Sequence, residues 1–480
     1  MNTILIVFTG TLQAASLTLG TAAREALQKS PEIRAAAAQW QKSALEEPGL
    51  LALTDPVFGA RYSQTDDRSA RSAPAFQGAF SKSKDWEASL TQDLLIGTES
   101  RLFFRTQELQ NPSLFRPIDP THTSSLGVEI RQPLLRYFWG RPDKAKRRQA
   151  RAGVKAAANA LKQTREKEAA QAMLAYVEVF TAQEQISIRE AALADARKLL
   201  DNYKEKRRYG LVESSDLLQA EVSVRAQETE LRLAQSQLKQ AEETLRRALY
   251  RRGEEPFEKL RLPEIPQRTP PAMEEAWATA EANRGDYLSA QHLVERAESF
   301  VRVEHLSTLP DLSVFGSYAW GGLDSRFSPS WSQVNKGDFP IYTTGVQLKI
   351  PLFWKKERIR RAETALNLES ARAERDRTAA DIRREIGDAL ENLRLSRDRA
   401  SAYEELLTLE KEKFQAAQED FNRGRANTDL LIRFQNDIRR TESLVINAKA
   451  QALAGWARLG FATGNLIEGF ADLTGEAIEP

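Results

Sequence analysis

From Leu217 onward apolar residues fall at alternating steps of three and four: Leu217, Ala220, Val224, Leu231, Ala234, Leu238, Ala241, Leu245 and Ala248, with Gln227 the one polar member. That spacing predicts a coiled-coil seam, and Ala at alternate positions lets helices approach more closely than a leucine zipper would. The same register returns 214 residues later in Leu431, Phe434, Ile438, Thr441, Val445, Ala448, Ala452, Gly455, Leu459 and Ala462. Elsewhere the period drops to two. Thr344, Val346, Leu348, Ile350 and Leu352 alternate with Thr343, Gly345, Gln347 and Lys349, and Leu126, Val128, Ile130 and Leu134 alternate with Ser125, Gly127, Glu129 and Arg131. Each run predicts a strand with one apolar and one polar face.

Both periods occur twice, in the same order. An offset of 254 carries Pro31-Glu32-Ile33 onto Gly285-Asp286-Tyr287 and Pro56 onto Pro310, an offset of 218 carries Gly127 through Leu134 onto Gly345 through Leu352, and an offset of 214 carries Gly210 onto Gly424. The chain reads as two copies of one plan: helix, strand region, long helix, Gly-marked turn, second helix. The first copy spans 16–253, with strands at about 56–134 and a helix hairpin at 141–252. The second spans 272–465, with a helix at 272–308, strands at about 311–352 and a hairpin at 355–463. Residues 254–271, rich in Pro and polar side chains, join the copies, and 466–480 form a tail. From Pro56 to Pro133 the first copy has 36 residues more than the second has from Pro310 to Pro351. The surplus predicts an extra β-hairpin around Gly97, built from Trp86–Ile96 and Thr98–Glu108, that either joins the other strands or caps them.

Helices opening after Trp139 and Trp354 and running to about Arg208 and Asn422 would each reach on the order of 100 Å. The strands before them end in Tyr137, Phe138 and Trp139, and in Phe353 and Trp354, rings of the kind that anchor at a membrane interface. A half-buried soluble sheet gives the same alternation. Strand length and flanking aromatics favour lipid on the apolar face and a wet lumen on the polar one. The basic runs Lys144 to Arg148 and Lys355 to Arg361 fit either lipid headgroups or a solvated helix face.

Composition removes alternatives. With 69 Lys plus Arg against 67 Asp plus Glu the charge is dense but balanced, which argues against a general nucleic-acid binder. The absence of Cys rules out disulfides, thiolate metal sites and Cys nucleophiles, and His122, His292 and His305 are too scattered for an acid/base or zinc site. No phosphate-binding Gly loop or nucleophile motif is present, so neither an enzyme nor a cofactor is expected. No apolar stretch approaches the roughly 20 residues of a spanning helix, so entry into a membrane requires a barrel. Residues 1–15, with an apolar Ile4 to Phe8, read as the remnant of an export signal.

The opening Ala26 to Ala36 (ALQKSPEIRAA), the strand end Gln132 to Leu135 (QPLL) and Tyr209 to Glu221 (YGLVESSDLLQAE) resemble the outer-membrane efflux proteins of the TolC type. Arg423 to Leu431 (RGRANTDLL) matches more loosely, and the resemblance runs from about Leu17 to Gly464. It implies an α+β membrane protein: a homotrimeric transmembrane β-barrel continued by a long periplasmic α-helical barrel, with two internal repeats per protomer. It further implies four strands per protomer in a twelve-stranded barrel, location in the outer membrane of a Gram-negative bacterium, and service as the exit duct of a tripartite pump or type I secretion system. Outer-membrane lipid, a periplasmic adaptor and an inner-membrane RND or ABC transporter would be its partners, with no nucleic acid. Residue by residue, Gly210 and Gly424 match the tip turns, Ser215 and Asp216 the closing links of the first copy, and Asp429 the acidic entrance ring. Phe421 stands where the family often has Tyr and Ala426 where it has Arg, so the closing contacts would pass through Arg423 or Arg425. Asp216 and Asp429 also sit where an Asp would cap a helix. An adaptor would need a lipoyl-like β domain and one hairpin, and a coiled-coil scaffold leaves the paired strand regions unexplained.

Overall fold

The computed structural model describes residues 17–209, 213–253, 255–266, 268–423, 425 and 428–469, with the backbone alone at 421, 422, 428 and 429. The expected signal remnant at 1–15, the part of the expected tail beyond 469 and the two glycines expected at the tip turns, Gly210 and Gly424, fall outside these residues. The first half runs α1 (Leu19–Lys29), α2 (Pro31–Ala44), α3 (Glu46–Ala52), β1 (Val57–Asp67), α4 (Pro74–Gln77), β2 (Ser81–Asp93), β3 (Glu99–Gln110), β4 (Thr121–Pro133), α5 (Arg141–Arg208) and α6 (Ser214–Ala248). The second runs α7 (Met273–Asn283), α8 (Gly285–Ser307), β5 (Asp311–Asp324), α9 (Phe327–Lys336), β6 (Phe339–Lys349), α10 (Lys355–Asn422) and α11 (Thr428–Thr463). Both α5 and α10 are 68 residues long. The described residues form two compact units, one within 17–39, 157–289 and 376–469, the other within 40–156 and 290–375.

The first unit is helical, and its core is built largely from alanine. Ala169, Ala172, Met173 and Tyr176 of α5 meet Ala241 and Leu245 of α6 and Ala454 and Ala457 of α11. The expected seams face inward, since Ala220, Val224, Ala234, Ala241 and Leu245 of α6 are buried, as are Val445, Ala448, Ala452, Gly455, Leu459 and Ala462 of α11. Close approach is literal at Gly455, where a Cβ would lie 3.2 Å from the Leu393 Cα. The polar exception, Gln227, keeps a buried Oε1 with no hydrogen-bond partner.

Residues 255–266 have no regular structure but are held down. Gln183 donates to the Phe257 and Glu258 carbonyls and accepts from the Leu260 N–H, while the Tyr176 hydroxyl donates to the Arg261 carbonyl at 2.8 Å. The single helix expected over 272–308 is two, broken at Arg284. This buried guanidinium pairs with Asp286 at 2.9 Å and Glu385 at 2.7 Å and lies 4.6 Å from the Phe461 ring. Arg284 takes the extended φ −67° and ψ 115° that separate the two helices, and its partners compensate the charge it buries.

The second unit holds one antiparallel sheet in the order β1-β2-β3-β4-β5-β6. The resemblance's four strands per protomer are thus corrected to six, because the surplus hairpin joins the sheet as β2 and β3. Its turn is Leu94 to Thr98, closed by Leu94 N–H donating to the Thr98 carbonyl at 2.8 Å. Gly97 takes φ 82° there, so Leu94, Leu95 and Ile96 form the turn and not, as expected, the end of a strand.

Candidate functional site

Two regions carry the features that transport would use: the faces of the sheet and the ends of the long helices. Pairing register places Phe58, Leu90, Leu102, Val128, Tyr318 and Tyr342 in one row across all six strands. Ala60, Ala88, Phe104, Leu126, Trp320 and Pro340 make the next row on that face. At its loop end α9 packs onto this face through Val334, through Trp331 edge-on to Phe104 at 5.2 Å, and through Ser330, 2.6 Å from the Ser124 hydroxyl. An amphipathic helix at the rim of an apolar band is the kind that lies in a membrane interface.

The opposite face is a network of charges. Glu87 of β2 pairs with Arg101 and, at 3.2 Å, with Arg105 of β3; Arg131 of β4 lies 3.7 Å from both Glu99 of β3 and Asp311 of β5 and donates to Gln347 of β6 at 3.1 Å. Cross-strand pairing of opposite charges stabilises a sheet whose face stays wet. The division of faces seen in β4 and β6 continues into the surplus hairpin, although Phe103 shares the charged face with Arg101 and Arg105 and the Lys84–Glu108 pair lies beyond the apolar rows on the other.

Tyr137, Phe138 and Trp139 follow β4, and Phe353 and Trp354 follow β6. All but Trp354 are exposed, and Trp354 is half-buried. Trp139 and Trp354 take the left-handed φ values 49° and 52° just before α5 and α10. A side chain at Gly97 would meet the Tyr137 carbonyl at 2.7 Å, so the β2–β3 turn sits directly on the aromatic segment.

At the helix ends Ser215 and Asp216 lie exposed in the first turn of α6. The N-cap is Glu213, which makes no side-chain cap bond, and Ser215 Oγ is 3.4 Å from its carboxylate. Asp216 is the third helical residue, so it favours the helix dipole without capping, contrary to the capping expectation. Asp429 is the second residue of α11 and Phe421 lies in the last turn of α10, but neither side chain is among those described. Arg423, one residue past the end of α10, pairs with Glu419 of that helix at 3.4 Å, and the exposed Arg425 donates its N–H to the Asp420 carbonyl at 2.8 Å.

Polar links between the two hairpins lie further up and carry no local sequence signal. Arg439 of α11 reaches Asp195 of α5 at 3.1 Å, and Ser443 donates to Gln185 at 2.8 Å. Within the second hairpin, Lys413 joins α10 to Asp437 of α11 at 3.2 Å with Phe434 beneath its ammonium at 4.3 Å. Near the opposite end of the helical unit, burial raises the Glu166 carboxyl above the usual carboxylate range, although the Ile467 and Leu466 N–H groups donate to it. Among the described residues no group of three or more His, Cys, Asp or Glu could hold a metal, and no helix is long and apolar enough to cross a membrane.

The family model described as outer membrane efflux protein matches residues 102–249 and 277–465, more than half the chain. Comparison with curated proteins finds no match. Among solved structures, the Campylobacter jejuni CmeC outer membrane channel shares the fold at a TM-score of 0.67 and 16% identity, over 96% of this chain and 90% of that one. The outer membrane protein VceC from Vibrio cholerae gives 0.67 at 16% identity over 93% and 96%, and the open-state Neisseria gonorrhoeae MtrE channel gives 0.66 at 15% over 93% and 89%. The match along the sequence and the shared fold together show that the chain belongs to the outer membrane efflux protein family.

Proposed function

We propose that the chain is one protomer of a trimeric duct through which an efflux system releases its cargo across the outer membrane. The observation that carries this reading is the apolar face that runs across all six strands, covered by α9 only at its loop end, and backs onto a charged one. Such a sheet suits lipid on one side and water on the other. Its edges, β1 and β6, are unpaired, and an open edge is not viable in lipid. Six strands fall short of the eight in the smallest single-chain barrels, so closure needs further copies. Tyr137, Phe138, Trp139, Phe353 and Trp354 then meet the interface.

Three α5–α6 and α10–α11 pairs would form the periplasmic tunnel, docked on an adaptor and an RND or ABC transporter. Asp429 would ring the entrance. Ser215, Asp216, Phe421, Arg423 and Arg425 would surround it, at the turns of Gly210 and Gly424. Catalysis is no part of this role. Fractionation tests it: recovery in the outer membrane as a heat-dissociable trimer is expected, and soluble recovery as a scaffold would end the proposal.

A further inference from the structure

The surplus hairpin has a consequence for the width of the duct. We infer that three copies close into one eighteen-stranded barrel, β1 of each copy pairing with β6 of the next, with β2 and β3 forming part of the lipid-facing wall. This rests on the trimeric-duct reading and goes beyond it, because a hairpin that capped the barrel would leave twelve strands.

Four observations support it. β2 and β3 are hydrogen-bonded between β1 and β4 along nearly their whole length, so removing them from the wall would also detach β1. They carry the same division of faces as the other strands, Leu90 and Leu102 continuing the apolar row and Glu87, Arg101 and Arg105 the charged side. All neighbours are antiparallel, so an even set of six leaves β1 and β6 running in opposite directions, as head-to-tail closure of an antiparallel barrel requires. Finally, both edge strands are 11 residues long, enough for a tilted strand to cross a bilayer. Phe58 and Tyr342 at these edges are 70% and 78% exposed, against 41–45% for Leu90, Leu102, Val128 and Tyr318 in the same row. A second copy would cover them and continue the row. Barrel diameter grows roughly linearly with strand number, so this wall is about one and a half times as wide as a twelve-stranded one.

The chain has no Cys, so a single substitution introduces the only thiol of its copy and a double one the only two. In outer-membrane vesicles, Leu90→Cys and Leu102→Cys are expected to resist a sulfonated, water-soluble maleimide and to react with a bilayer-soluble one, as Val128→Cys does. Thr123→Cys on the polar face should react with the water-soluble reagent. Reaction of the two hairpin thiols with the water-soluble maleimide, while Val128→Cys stays protected, overturns the eighteen-stranded wall and leaves the duct reading intact. Water reactivity at Val128→Cys overturns both. Phe58→Cys combined in turn with Tyr342→Cys, Thr344→Cys or Val346→Cys should give, with a flexible bismaleimide, a covalent ladder ending at the trimer. Absence of a ladder from all three pairs overturns closure through β1 and β6.

Discussion

Tyr250 and Gly464 end α6 and α11 in the same left-handed conformation, at φ 54° and 69°, and stand 214 residues apart, the offset that relates the two hairpins. The hydrogen bonds agree as well. Tyr250 N–H donates to Arg247 and Arg251 N–H to Arg246 in the first copy, and Gly464 N–H donates to Phe461 and Asn465 N–H to Gly460 in the second. Both ends are Schellman motifs, in which the left-handed residue is usually Gly. Tyr250 is held there because its hydroxyl donates to buried Glu168 at 2.7 Å.

Gly464→Ala should therefore destabilise the helical unit. A Cβ would stand 2.7 Å from the Arg284 Cα, and the left-handed conformation alone costs an L-residue on the order of 1–2 kcal/mol. A thermal unfolding midpoint unchanged from the parent would contradict this.

Arg439 and Asp195 tie the two hairpins together while remaining partly exposed. Their coupling in a double-mutant cycle is expected at about 0.5–1 kcal/mol. In planar bilayers Arg439→Ala should raise the fraction of time the channel conducts, since it releases α11 from α5. Equal open fractions in variant and parent would show that the pair only stabilises the fold.

Three Asp429 carboxylates at one mouth would concentrate cations and deter anions. Asp429→Asn is expected to lower cation preference in single-channel recordings with little change in trimer stability. Asp216→Ala, which removes a dipole contact and no cap, should cost only about 0.3–1 kcal/mol. Should Asp429→Asn leave selectivity untouched, the entrance ring lies elsewhere.

Glu166 supplies a pH test. Its folded-state pKa is raised by burial, so the native protein holds this proton more tightly than the unfolded chain. Its contribution to stability is then complete below the ordinary carboxylate pKa and is lost as pH rises through the folded value. Glu166→Gln cannot ionise, so the unfolding midpoint of the variant minus that of the parent should increase between about pH 4 and about pH 8. A difference that is flat or falls with pH would rule out a raised pKa at this site.

Much of this architecture was legible because it depends on local period. The seams from Leu217 and Leu431 and the alternation around Val128 and Val346 depend on spacings of 3.5 and 2 that no distant contact alters. The long-helix bounds at Arg208 and Asn422 agree with the structure, and the insertion length marked the hairpin around Gly97. Tertiary structure decided what depends on residues far apart in sequence. Whether β2 and β3 cap or extend the sheet turns on pairing with β1 and β4. The break at Arg284 turns on Glu385 and Phe461, which are distant in sequence. The hairpin links between Asp195 and Arg439 join different copies of the repeat, and a spacing pattern within one copy contains no record of which charge the other will present.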